Sequence, residues 1–126
     1  MNVILSIKPE YAWEIIRGNK KVEFRKSIFK KSIKKIYIYS SAPDQKIIGY
    51  FSLKDIDSDT PINLWKKYGK VGCINKVDFF KYYSLKEKGV SLKIDKVVKF
   101  KVPLDPYQVM ENFYPPQSFQ YCATDL

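Results

Sequence analysis

The sequence predicts an α+β fold, a small mixed β-barrel with short flanking helices. Most apolar runs have the length and alternation of β-strands, and short segments with helix-start signals lie between them. The run Lys46–Leu53 is apolar on both faces apart from Ser52, as in a closed barrel or a covered sheet. A chain of 126 residues, 45% hydrophobic and 16% aromatic, is the size of one domain with one core. We therefore expect a single domain that spans residues 1–126.

The first third of the chain alternates strand and helix signals. Val3–Ile7 predicts a short buried strand, and Pro9 suits the first turn of a helix that Gly18 ends as a C-terminal cap. Two further strands are predicted at Lys21–Lys26 and Ile33–Tyr39, before a turn that leads into the strand from Lys46.

The remainder of the chain contains helix-start signals around one long strand. Thr60-Pro61 predicts a short helix, and Asn75 with Asp78 three residues later resembles a capping box that opens another. Leu92–Val102 predicts a long strand with one apolar face and one mostly basic face. Asp105-Pro106 then predicts a last short helix to about residue 112, followed by a tail without a predicted strand.

Charge and composition limit the possible functions. A formal net charge of +10 favours a polyanionic partner such as RNA or DNA. The alternative is that a biased genome composition enriches the chain in lysine without any selection for binding. The absence of histidine excludes serine–histidine catalysis and histidine-ligated zinc, and no metal or other cofactor is expected. Cys73 and Cys122 are expected to be reduced thiols, as in a cytoplasmic protein. The apolar run Val3–Ile7 is too short to span a membrane.

Lys8 stands at an unusual position for a lysine. It occupies the N-cap of the first predicted helix, where a side-chain acceptor is normal and the helix dipole is positive. A phosphate or carboxylate ligand at this helix end would balance the charge. The alternative is that the side chain simply points into water.

The segment Gly18–Arg25 contains the best candidates for chemistry. Glu23 suits a general acid or base, and Lys20 suits an oxyanion contact or, if desolvated, a base. Arg25, one of only two arginines, offers a planar fork for phosphate or for stacking on a base. The alternative is a salt-bridged strand face that is exposed to solvent and contributes little.

Two motifs resemble the ASCH domain, the activating-signal-cointegrator homology family of the PUA-like superfamily. They are residues 5–12, LSIKPEYA, and the G-x-K-x-x-E-x-R element at residues 18–25; residues 38–43, 48–50, 75–83 and 115–119 extend the match. The resemblance implies a PUA-like β-barrel with a cleft for RNA or a modified nucleotide. It places Lys20, Glu23 and Arg25 in that cleft, and it implies that four further residues approach it: Lys8, Ser40, Gln117 and Ser118.

The resemblance leaves three functions open. The first is binding of RNA or a nucleotide in RNA metabolism or transcription regulation, through a basic cleft. The second is hydrolysis of RNA or of a modified nucleoside. One ASCH branch resembles a metal-dependent ribonuclease, for whose metal site this chain offers no compact acidic cluster. Another branch resembles an N4-acetylcytidine amidohydrolase. That branch pairs the lysine matched by Lys20 with a threonine nucleophile, whose position Glu23 occupies here, so the carboxylate would have to activate water. The third is a non-catalytic protein-interaction module.

Overall fold

The structure, a computed structural model, describes all residues 1–126. It contains six strands and four short helices. The elements are β1 Asn2–Ile7, α1 Pro9–Ile16, β2 Val22–Arg25, β3 Ile36–Ser40, β4 Lys46–Asp59, α2 Pro61–Tyr68, α3 Lys76–Tyr82, β5 Gly89–Leu104, α4 Pro106–Val109 and β6 Phe119–Cys122.

The strands form one curled half-barrel sheet in the order β2-β5-β4-β3-β1-β6, which confirms the predicted α+β fold. All neighbouring strands are antiparallel except β1 and β3. Because β1 and β3 are parallel, Ile7 and Ser40 lie together at one end of the sheet, where α1 begins. No helix combines the length and the apolar composition needed to cross a membrane.

The paired strands β4 and β5 are longer than the sequence indicates. β4 continues past its predicted end at Leu53 to Asp59, and its last residue pairs with Gly89 at the start of β5. The added part of β4 contains several acidic residues, which mask the strand pattern in the sequence. Cross-strand pairing therefore determines these ends.

The tail and two boundaries also differ from the prediction. The tail contains β6, a strand that was not predicted, because residues 119–122 become a strand by pairing with β1. β3 begins at Ile36 rather than Ile33, and α4 ends at Val109 rather than near residue 112.

Three apolar clusters hold the molecule together. The largest lies between the sheet and α1 and includes Val3, Leu5 and Ile15. The second covers the other face of the sheet with C-terminal residues, and the third packs α2 and α3 against β2. Burial of aliphatic and aromatic side chains supplies the main free energy of folding.

The two edge strands of the half-barrel meet beside the start of α1. The Arg25 guanidinium on β2 donates through Nη2 to the Ser118 hydroxyl, one residue before β6, at 2.8 Å. Phe29, in the segment that connects β2 to β3, contacts Phe119 of β6 edge-on at a ring separation of 5.0 Å. Arg25 and Ser118 of this junction line the candidate site.

Candidate functional site

A cleft of about 760 Å³ opens at the end of the sheet where β1 ends and α1 begins. Its walls come from the β1–α1 junction, β2, α3 and the tail before β6. The polar and aromatic side chains among its lining residues are Ser6, Lys8, Glu10, Tyr11, Lys20, Glu23, Phe24, Arg25, Lys26, Ser41, Asp78, Lys81, Tyr82, Gln117 and Ser118.

Lys20 lies at the base of this cleft with a side chain that is only 2% exposed. Its ammonium group donates to the Gly72 carbonyl and lies 3.8 Å from Glu23 Oε1. The rings of Tyr11 and Phe24 are 5.1 and 5.2 Å from the same nitrogen. Burial lowers the pKa of Lys20, and the Glu23 carboxylate opposes that shift. Lys20 is therefore a desolvated amine whose positive charge the Glu23 carboxylate stabilises.

Glu23 connects Lys20 to Arg25 in one buried network. Arg25 donates through Nη1 to Glu23 Oε2 at 3.1 Å and to the Ser6 carbonyl at 3.3 Å, and through Nη2 to Ser118. The side chains of Glu23 and Arg25 are 6% and 13% exposed. The alternative raised from the sequence, that these residues form a solvent-exposed strand face, is therefore wrong. Low exposure strengthens each of these interactions because water screens them less.

The local chain path explains how Lys20 is buried. Gly18, with a positive φ of 81°, ends α1 and turns the chain back, and the Lys20 amide then donates to the Glu14 carbonyl at 3.1 Å. The Lys21 amide donates to the Val71 carbonyl at 2.8 Å, and this bond joins the residue just before β2 to the segment 69–74. That distant segment brings the Gly72 carbonyl over Lys20.

Gly72→Ala is expected to destabilise the protein by about 1–3 kcal/mol through overpacking. A methyl group at position 72 would overlap the Phe24 ring, so the segment must shift and carry its carbonyl away from Lys20. Urea unfolding measures the loss. The matched control repeats the change in a Phe24→Leu background, where the smaller side chain should reduce the penalty. An equal penalty in both backgrounds would contradict this explanation.

The remaining residues implied by the resemblance lie in different places. Lys8 and Gln117 are exposed and line the cleft, and Lys8 forms the N-cap of α1 without a side-chain hydrogen bond to the helix. Ser40 does not line it: this buried residue donates its hydroxyl to Asp44 Oδ2 at 2.7 Å, while the neighbouring Ser41 lines the cleft. The roles of these residues stay predictions.

Several cleft residues were not predicted from the sequence as site residues. Tyr11 and Tyr82 add aromatic rings, Lys26 and Lys81 add charge, and Asp78 adds a carboxylate on α3. Their sequence signals are ordinary, because helical aromatic residues are typical of a core and exposed lysines are frequent in this chain. Only the fold shows that they share one concave surface.

The electrostatics of the cleft are mixed, with five cationic and three acidic side chains among its lining residues. Burial raises the pKa of Tyr11, and three carboxylates, Glu10, Asp78 and Glu23, add to the shift. Burial also raises the pKa of Tyr82, while the charge of Arg25 opposes it. No three His, Cys, Asp or Glu side chains of the chain are close enough together to hold a metal ion.

The sequence model of the ASCH domain family matches residues 5–115, so the chain belongs to this family. A Zymomonas mobilis protein named ASCH domain-containing ribonuclease is 30% identical over 121 residues, which are 94% of this chain and 82% of that protein. The crystal structure of ASCH from Zymomonas mobilis superposes with a TM-score of 0.89 at 27% identity, over 96% of this chain and 87% of that one. A Ureaplasma parvum protein named large ribosomal subunit protein uL22 is 27% identical over 94% of this chain, which spans 38% of that protein.

Proposed function

We propose that the chain binds single-stranded RNA in this cleft. The supporting observation is the combination of the Arg25 guanidinium, exposed lysines at the rim and the rings of Tyr11 and Tyr82 in one concave surface. Cations that contact phosphates and aromatic rings that stack on bases are the usual components of a single-strand site. The Zymomonas mobilis relative named a ribonuclease supports RNA as the nucleic acid.

Cleavage of the bound RNA is a second candidate function, and the buried pair of Lys20 and Glu23 favours it. The lowered pKa of Lys20 brings this amine closer to the range in which it can accept a proton. In cleavage by transesterification, a base takes the proton of the ribose 2′-hydroxyl, whose oxygen attacks the adjacent phosphorus. The P–O5′ bond then breaks, which leaves a 2′,3′-cyclic phosphate, and the leaving 5′-oxygen takes a proton from water. Arg25 is suited to stabilise the charge that develops on the phosphate oxygens.

Removal of the exposed lysines at the rim is expected to weaken RNA binding about tenfold. A fluorescent single-stranded RNA is titrated with wild type and with the Lys8→Ala/Lys26→Ala/Lys81→Ala variant at several salt concentrations. The logarithm of the binding constant falls linearly with the logarithm of the salt concentration. If each lysine contacts one phosphate, the magnitude of this slope should decrease by about 2, because each single-strand contact contributes about 0.7.

The matched control is Lys96→Ala/Lys99→Ala/Lys101→Ala, which removes the same charge from exposed positions of β5 outside the cleft. Equal weakening by both triple variants would indicate general attraction to a basic protein and would contradict the cleft as the site. Absence of salt-sensitive binding by wild type would contradict the proposed function itself.

A gel of the recovered RNA distinguishes the two candidates. Shortened RNA with wild type, and intact RNA with a Lys20→Met variant that still binds, would support cleavage. Intact RNA with both proteins would favour binding alone. Cleavage that persists in Lys20→Met would contradict the assignment of Lys20 as the base.

A further inference from the structure

We propose that residues 26–35, the lysine loop, form a second RNA contact that guides the strand as it leaves the cleft. This inference rests on the proposed function and extends it from one cleft to a continuous path on the surface. It specifies a substrate class, single-stranded RNA longer than the cleft alone can contact.

The lysine loop starts at the cleft and ends at the opposite end of the sheet. Lys26 lines the cleft, and the loop continues to Ile36, the first residue of β3. Ile36 pairs with Val3 near the start of β1, whereas the cleft lies where β1 ends. The loop therefore runs the length of β1, roughly 20 Å at about 3.3 Å per residue.

The charge of the lysine loop is of one sign and is largely unpaired. Five of its ten residues are lysine and none is acidic; the lysines are Lys26, Lys30, Lys31, Lys34 and Lys35. Among them only Lys35 forms an ion pair, with Asp125 at 3.4 Å. The other four are exposed and are free to contact a polyanion.

The backbone of the lysine loop is anchored to the rest of the fold. The Phe29 side chain is buried in the main core against Phe119. The Lys30 amide donates to the Tyr121 hydroxyl, and the Lys34 amide donates to the Met1 carbonyl, both at 2.9 Å. A fixed backbone reduces the conformational entropy that RNA binding would otherwise remove.

Aromatic rings accompany the lysines along this path. The ammonium groups of Lys26 and Lys31 lie 4.7 and 4.8 Å from the ring centroids of Tyr82 and Tyr121. Both rings are partly exposed, so each can offer a face to a base beside a lysine that contacts phosphate. A run of lysines is usually a solvated surface; continuity with the cleft, the anchored backbone and the adjacent rings favour an RNA path here.

The test compares the affinities of a short and a long single-stranded RNA, of about 4 and about 16 nucleotides, lengths that bracket common single-strand sites. The variant is Lys30→Ala/Lys31→Ala/Lys34→Ala, and Lys96→Ala/Lys99→Ala/Lys101→Ala is the control of equal charge. The loop variant should bind the long RNA about tenfold more weakly, with a log–log salt slope lower by about 2. It should bind the short RNA like wild type.

The outcomes separate this inference from the proposed function. Equal affinity of wild type for both RNA lengths would overturn the path while the cleft remains a binding site. The path would also be overturned if the loop variant and the control lost the same affinity for the long RNA. It would be overturned likewise if the loop variant lost as much affinity for the short RNA as for the long one. Absence of wild-type binding to either RNA would overturn both proposals.

Discussion

Glu23→Ala is expected to lower the free energy of unfolding by about 3–5 kcal/mol, the usual effect of removing one partner of a buried ion pair. The change leaves the ammonium group of Lys20 buried without a carboxylate, and Arg25 loses one acceptor. Urea unfolding at neutral pH measures the loss.

The stability deficit of this variant should shrink as the pH rises. In wild type the pKa of Lys20 in the folded protein lies below its ordinary value of 10.5. At a pH between these two values, Lys20 is protonated in the unfolded chain but not in the folded protein. The free energy of unfolding therefore rises with pH in this range. Glu23 raises the folded pKa of Lys20, so its removal lowers that pKa further. The variant therefore begins to gain stability at a lower pH than wild type, and the two curves converge toward alkaline pH.

Two control variants distinguish this explanation from general sensitivity of the cleft. Glu10→Ala removes an exposed cleft carboxylate and should change stability by less than about 1 kcal/mol. Lys20→Met/Glu23→Gln removes both buried charges and should recover most of the loss. A deficit independent of pH, or a double variant as unstable as Glu23→Ala, would contradict the ion-pair explanation.

The sequence and its family resemblance singled out three residues that line the cleft, but they did not predict the electrostatic environment of those residues. Spacing brought Lys20, Glu23 and Arg25 together as candidates, because residues on one short segment stay close in any fold. Their burial depends on Gly72, 52 positions after Lys20, and on the tail at Ser118. No local pattern in the sequence reports such contacts.

The aromatic residues of α3 show the same limit at the level of one helix. Tyr82 lines the cleft, whereas the adjacent Tyr83 is buried and donates its hydroxyl to the Arg25 carbonyl at 2.8 Å. The two side chains are chemically identical, so only the packing of α3 against β2 assigns one to the site and the other to the core. Strand β6 likewise depends on pairing with β1, which a four-residue segment does not encode by itself.

Arg25→Lys is expected to weaken RNA binding by at least about tenfold, or about 1.4 kcal/mol, although it keeps the positive charge. The guanidinium of Arg25 contacts Glu23, the Ser6 carbonyl and Ser118 at once, through two nitrogens. A single ammonium group lacks this planar fork and does not reproduce all three contacts while also binding phosphate. The tail should then loosen from β2 at the cleft wall.

Arg17→Lys is the matched control, because Arg17 is the other arginine and its exposed side chain pairs with Glu14 on α1. Fluorescence titration of single-stranded RNA with the two variants and wild type measures the difference. We expect Arg17→Lys to bind like wild type, since an exposed ion pair contributes little and tolerates a change of cation. If Arg25→Lys also bound like wild type, charge alone would explain the role of Arg25, and the argument from fork geometry would fail.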